Sequence, residues 1–222
     1  MHKAMRHNAK LDALVTRNIA DLEAAFSHAR DVIDKRLLKI LHSIVRQMID
    51  PAEWYIQFDG DDFELWMAPR RWLVPDSRPT KARARFEFDE LFEEDADEAE
   101  TWLSALTAAS SGVPKTALYF QQEPLGKLAW KRLVRSNDAA RDLILAQGFN
   151  YSLTEGDFYF PVTVDQEALA GGFENGRPEE AFEQLRNAVA AMIASATLFE
   201  GLGVQLSGTG VSGVGGADDR DE

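Results

Sequence analysis

Between Lys10 and Ile49 apolar residues recur at Leu11, Val15, Ile19, Leu22, Phe26, Ala29, Ile33, Leu37, Ile40, Ile44 and Met48, always three or four positions apart. This period puts them on one face of an α-helix, and Asp50-Pro51 closes the run because a residue before proline is pushed out of the helical region. The mean step of 3.7 is closer to the straight-helix period of about 3.6 than to the roughly 3.5 of a left-handed coiled coil. A helix of that length extends roughly 60 Å at about 1.5 Å per residue, whereas a globule built from this chain has a radius of gyration near ~17 Å. The helix must therefore bend, or carry one end beyond the body where its stripe needs a partner.

After Pro51 the period changes to two. Trp54, Ile56 and Phe58 alternate with Tyr55 and Gln57, Asp59-Gly60-Asp61-Asp62 offers turn chemistry, and Phe63, Leu65 and Met67 alternate again, which predicts a β-hairpin. A second hairpin is expected from Phe149, Tyr151 and Leu153 through Glu155-Gly156-Asp157 to Phe158, Phe160, Val162 and Val164, with Pro161 marking a strand near an edge. Residues 84–88 and 116–120 supply two more strands. Helical periodicity returns at 97–109, 124–135, 138–147 and 178–200. Pro124 and Pro178 suit a first helical turn, and Gly148 and Gly201 suit a left-handed exit. Helices surround consecutive hairpins instead of alternating with strands, so the expected fold is α+β, with a largely antiparallel sheet of about six strands behind a long N-terminal helix. The predicted organisation is a flexible leader at 1–9, one α+β domain at 10–200 led by the helix at 10–49, and a disordered Gly-rich acidic tail at 201–222. That last segment holds seven glycines and ends Asp218-Asp219-Arg220-Asp221-Glu222, a composition that buries too little apolar area to offset its ordering entropy.

The 222 residues carry 37 acids against 24 bases, a net charge of -13, with no cysteine. The acidic excess disfavours nonspecific nucleic-acid binding. The missing thiols exclude disulfides, thiol catalysis and cysteine-ligated zinc, and suit a reducing compartment. No apolar stretch resembles a signal peptide or a membrane span, so the chain reads as cytoplasmic.

Few catalytic patterns survive inspection. All four histidines, His2, His7, His28 and His42, lie in the first 42 residues. His28 and Asp31 have a helical metal-ligand spacing but no second pair. There is no GxSxG elbow to accompany Ser110 or Ser111. A metal-dependent nuclease needs an acid followed by acid-x-lysine on the next strand; Asp76 offers the first, but Glu87-Phe88-Asp89 has an acid where the lysine belongs. The glycine pairs near Gly201 and Gly208 have no strand before them and no lysine after them, and Asp59-Gly60-Asp61-Asp62 lacks calcium-loop spacing. No cofactor or metal is expected, and the reading leans against an enzyme, with a carboxylate site left open.

Charge clusters remain. Residues 87–100 hold nine acids and no base, and the candidate partner-binding residues are Glu87, Asp89, Glu90, Glu93, Glu94 and Asp95. Directly before them Arg70, Arg71, Arg83 and Arg85, with Trp72 to stack on a base, form an alternative nucleic-acid surface. Residues 1–50 carry a net +3 and the remainder -16, so antiparallel self-association of a basic helix against an acidic body is electrostatically favourable.

The stretch Trp54-Tyr55-Ile56, then Phe63-Glu64-Leu65-Trp66-Met67-Ala68-Pro69-Arg70-Arg71-Trp72, followed by Phe86-Glu87-Phe88, resembles an accessory domain that follows PD-(D/E)XK nuclease-like domains in bacterial and phage proteins. The resemblance implies a binding or regulatory role in phage defence or mobile-element biology and carries over no catalytic residue. The leading expectation is a non-catalytic, acidic regulatory protein that binds another protein, or itself as a homodimer, through the long helix and the acidic face. The alternative is a nucleic-acid-associated, degenerate relative of those nucleases.

Overall fold

A computed structural model describes residues 9–59, 64–78, 80–91, 101–109 and 113–202. The leader before Ala9, the acids Asp61, Asp62, Glu93, Glu94 and Asp95, the expected helix start at 97–100, and the tail after Leu202 lie outside the described residues. The fold is α+β, as expected: a six-stranded, wholly antiparallel sheet with helices packed on it. The strands are β1 (Trp54–Asp59), β2 (Glu64–Pro69), β3 (Ala84–Glu90), β4 (Thr116–Gln122), β5 (Asn150–Tyr151) and β6 (Phe158–Pro161), in the order β1-β2-β3-β4-β6-β5. Both expected hairpins are present, and the short β5 forms an edge beyond β6.

Register follows the two-residue period. Pairing of Phe86 with Phe120 and of Met67 with Phe86 points the even-numbered large residues of β3 and β4 to one face. There Phe199, from the last helix, stacks on Phe120 at 3.9 Å between ring centroids and meets Phe86 edge-on at 5.5 Å. On the opposite face Trp66, Glu87, Tyr119 and Tyr159 line up across four strands.

The long N-terminal run is three pieces: α1 (Ala9–His28), a π turn (Ala29–Ile33) and α2 (Asp34–Met48). In α1 Asn18 leaves helical geometry at φ -118° and ψ 19°, and Thr16 and Asn18 each hydrogen-bond the carbonyl four residues back. Such side-chain bonds compete with the backbone ladder and bend helices. In the π turn the Asp34 N–H bonds Ala29 O, five residues back, so one extra residue is accommodated without further rotation.

That turn corrects the expected stripe. The apolar residues buried in α2 are Leu37, Leu38, Leu41, Ile44 and Val45, while Ile40 and Met48, expected to be central, are only half-buried. At about 100° per residue the α2 buried set and the α1 set of Leu11, Val15, Ile19, Leu22 and Phe26 would stand roughly a quarter turn apart in an unbroken helix. The residue absorbed by the π turn removes that offset, and the α1 stripe comes into line with the face that α2 buries.

The remaining helices are α3 (Trp102–Thr107), α4 (Lys127–Ser136), α5 (Asp138–Ala146), α6 (Gln166–Asn175) and α7 (Glu183–Gly201). Three expectations need correction. Helix α4 begins at Lys127 behind Gly126, not at Pro124. Gly201 is the last residue of α7 and makes no left-handed exit, whereas Gly148 does, at φ +99°. Residues 166–175, where no helix was expected, form α6, capped by the Asp165 side chain accepting the Ala168 N–H and ended by Gly176 at φ +73°.

Candidate functional site

The acidic candidates lie on β3 and do not converge. Alternation puts Glu87 and Asp89 on the face away from the helices. Glu87 accepts from Arg85 Nε at 2.9 Å, and Asp89 is exposed with its carboxylate turned onto the Glu90 N–H at 2.7 Å. Glu93, Glu94 and Asp95 are outside the described residues.

The basic alternative is mostly consumed within the fold. Trp72 has no exposed surface, wedged between Phe86 and Phe120 at 5.8 and 6.0 Å, so it cannot stack on a base. This corrects its assignment as a nucleic-acid contact. Its indole N–H and the Arg71 guanidinium both donate to Glu200 Oε1, at 2.6 and 2.5 Å. Arg70 donates to Pro51 O, and Arg85 is shared between Glu87 and Glu123. Arg83 is half-buried on the approach to β3.

A third arrangement brings carboxylates together at the mouth of the second hairpin. Glu155 and Asp157 line a hollow of about 210 Å³ with Gln121, Gln122, Lys127 and Trp130. Burial pushes the Asp157 carboxyl up, with the Glu155 charge adding to it, while the Lys127 ammonium holds Glu155 below the usual carboxylate range. Two acids moved apart in this way resemble an acid-base pair. However, Lys127 is already bound to Glu155, Lys131 to Thr154 O, and the buried Trp130 indole N–H to Gly156 O. Among the described residues no serine, threonine or histidine lines the hollow, and no His, Asp and Glu group of three is placed to hold a metal.

The arm formed by α1 is different in kind. None of its residues is buried. Leu11, Leu14, Val15, Ile19, Leu22 and Phe26 are exposed by 52, 58, 37, 48, 46 and 38%, and the sustained contacts of α1 are with the π turn that continues it. Lone exposed leucines are ordinary on a surface; five large apolar side chains in one row, with the exposed Leu14 beside it, are a patch of the kind that marks interaction sites.

Beyond the row, at the π turn, lies an apolar groove of about 320 Å³, lined by Ile33 of that turn, Leu103 of α3, and Leu169 and Phe173 of α6. Asp34 fixes the groove's geometry. Its buried carboxylate accepts the Trp102 and Leu103 N–H groups at 3.1 and 2.8 Å, satisfying the free end of α3 from another helix. Burial is the largest influence on that carboxyl and raises its pKa against the two backbone bonds, which lower it. The Arg36 guanidinium sits 4.8 Å from the centre of the ring of Phe173, which lines the groove.

The stripe was legible in the sequence, apart from Leu14. The groove was not, since its walls come from residues 33, 103, 169 and 173, and α6 itself was unexpected; the Asp165 cap and Gly176 stop were the signals available for it. Among the described residues no helix is long and apolar enough to cross a membrane. Compared with known proteins, the chain matches no family model, no curated protein and no solved structure.

Proposed function

We propose that this chain is a protein-binding module whose working surface is the apolar stripe of α1, continued at its base by the groove beside Ile33. One observation carries the reading: a 20-residue amphipathic helix with no buried residue presents six large apolar side chains to solvent. An isolated helix of this length is marginal in water, because most helical stability in proteins comes from packing an amphipathic face. The arm is therefore a surface that a protein partner completes. The charge of -13 and the internal pairing of Arg71 and Arg85 weigh against a phosphate backbone as that partner.

Removing the whole predicted helix would be the wrong test, because Leu37, Leu41 and Val45 of α2 belong to the core. The test is the double substitution Leu14→Glu and Ile19→Glu, placed on side chains 58 and 48% exposed. Affinity capture with the intact chain and with this variant as bait should give proteins held by the first and released by the second. Capture of the same proteins by both baits would refute the reading.

A further inference from the structure

We infer that the occupant of the α1 stripe is a second copy of this chain, lying antiparallel with the crossing point near Asn18 and Ile19. The inference rests on the protein-binding reading above and adds the identity and direction of the partner.

Three features of the molecule select this occupant. First, area: six side chains of this size, each exposed by 37 to 58%, offer on the order of 400–500 Å² of apolar surface per copy. A symmetric pair doubles that, close to the roughly 1,000 Å² that a specific interface needs. Second, charge: residues 51–222 carry -16. A parallel pair would hold two such bodies side by side, where a screening length of about 8–10 Å leaves them in mutual repulsion. An antiparallel pair puts one body at each end of an arm of roughly 30 Å. It also carries Lys10, which precedes the first acid of the arm at Asp12, toward the acidic body of the other copy. Third, direction: the π turn aligns the stripe with the face that α2 buries. A helix laid along the stripe therefore runs toward the body, and its Ala9 end comes level with His28, just short of the groove lined by Ile33, Leu169 and Phe173. The midpoint of the row from Leu11 to Phe26 sets the crossing, so Leu11 of one copy comes level with Phe26 of the other.

The absence of cysteine makes the geometry directly readable. Light scattering on the intact chain should give about twice 24.8 kDa at tens of micromolar, falling toward the single-chain mass on dilution. Leu14→Glu/Ile19→Glu should be monomeric throughout with an unchanged far-ultraviolet spectrum. Leu11→Cys and Phe26→Cys are then treated with a short bismaleimide, each alone and as a mixture. The antiparallel pair predicts covalent dimer chiefly in the mixture, joined through positions 11 and 26, and little in either variant alone. Efficient linking within each single variant would establish a parallel pair and overturn the inference. A monomer at every concentration would also overturn it, while leaving the protein-binding reading to be decided by the capture experiment. A dimer that survives the double glutamate substitution would overturn this inference through its interface, wherever that interface lies.

Discussion

Gly171 and Gly172 sit side by side in α6, and replacing each by alanine should change stability in opposite directions. A Cβ at Gly171 meets nothing within 4 Å, and its φ lies outside the left-handed range. Gly171→Ala therefore keeps the ordinary gain of a helix-interior glycine replaced by alanine, about 0.5–1 kcal/mol, from the smaller entropy lost on folding. A Cβ at Gly172 would lie 2.7 Å from Pro178 Cα and 3.0 Å from Arg177 O. Both are backbone atoms, so relief requires moving the short 3-10 turn at Pro178–Ala181, whose Pro178 is buried. Because the atoms met are backbone, the overpacking falls in the upper part of its usual range, about 2–3 kcal/mol, and set against the propensity gain of about 0.5–1 kcal/mol it leaves a net loss of about 1–2.5 kcal/mol. In a chain of this size such changes move the midpoint by roughly 2–4 °C per kcal/mol. Urea titrations monitored by circular dichroism should show Gly171→Ala shifted to higher denaturant and Gly172→Ala to lower, at equal slope. Shifts of the same sign would refute the close approach of α6 to Pro178.

Other perturbations bear on the groove, the core and pH. Asp34→Ala strands the Trp102 and Leu103 N–H groups and should cost about 1–3 kcal/mol in the same titration; Asp34→Asn keeps an acceptor and should cost about 1 kcal/mol or less, since burial already disfavours the charge. Glu200→Leu leaves the Trp72 indole N–H without its acceptor and should cost about 1–3 kcal/mol, against a smaller loss for Glu200→Gln, which can still accept. His42 stacks on Phe58 at 4.2 Å, and burial, with a smaller contribution from Arg46, holds its pKa below the usual histidine value. Its stabilising contribution is present above the ordinary histidine range and is lost as pH falls through the depressed value. His42→Phe should therefore flatten the decline of thermal stability on acidification in that range; an unchanged profile would count against this placement.

Local patterns in the sequence were enough for most of the architecture. Period-two alternation located both hairpins, and the strands around Phe86 and Phe120 followed from short aromatic runs between turn residues. The buried face of α2 was not legible, because a π turn leaves no mark in a count of threes and fours; Leu38 and Val45 are read as outside the stripe until the extra residue at 29–33 is known. Helix α6 escaped because two adjacent glycines argue against a helix by propensity. The chain accepts that cost at Gly172 for a contact with Pro178 that no local pattern encodes. Trp72 looked like a stacking platform beside arginines and is a core residue, since its acceptor, Glu200, is 128 positions away. The stripe of the candidate site was visible as periodicity, and only the fold reveals that its first half is uncovered.

Hydrogen exchange of the α1 backbone amides, followed as the intact chain is diluted, tests the docking surface most directly. An unpartnered arm opens locally at almost no cost, whereas an arm packed on a partner gains protection equal to the free energy of that packing. Pairing of the stripe with a second copy protects amides in 9–28 at high protein concentration and releases them on dilution, while those of β3, β4 and α7 stay constant. Amides in α1 that exchange at the unprotected rate at every concentration would contradict self-pairing, and protection equal to that of the core and independent of concentration would mean that the stripe is covered by the chain itself.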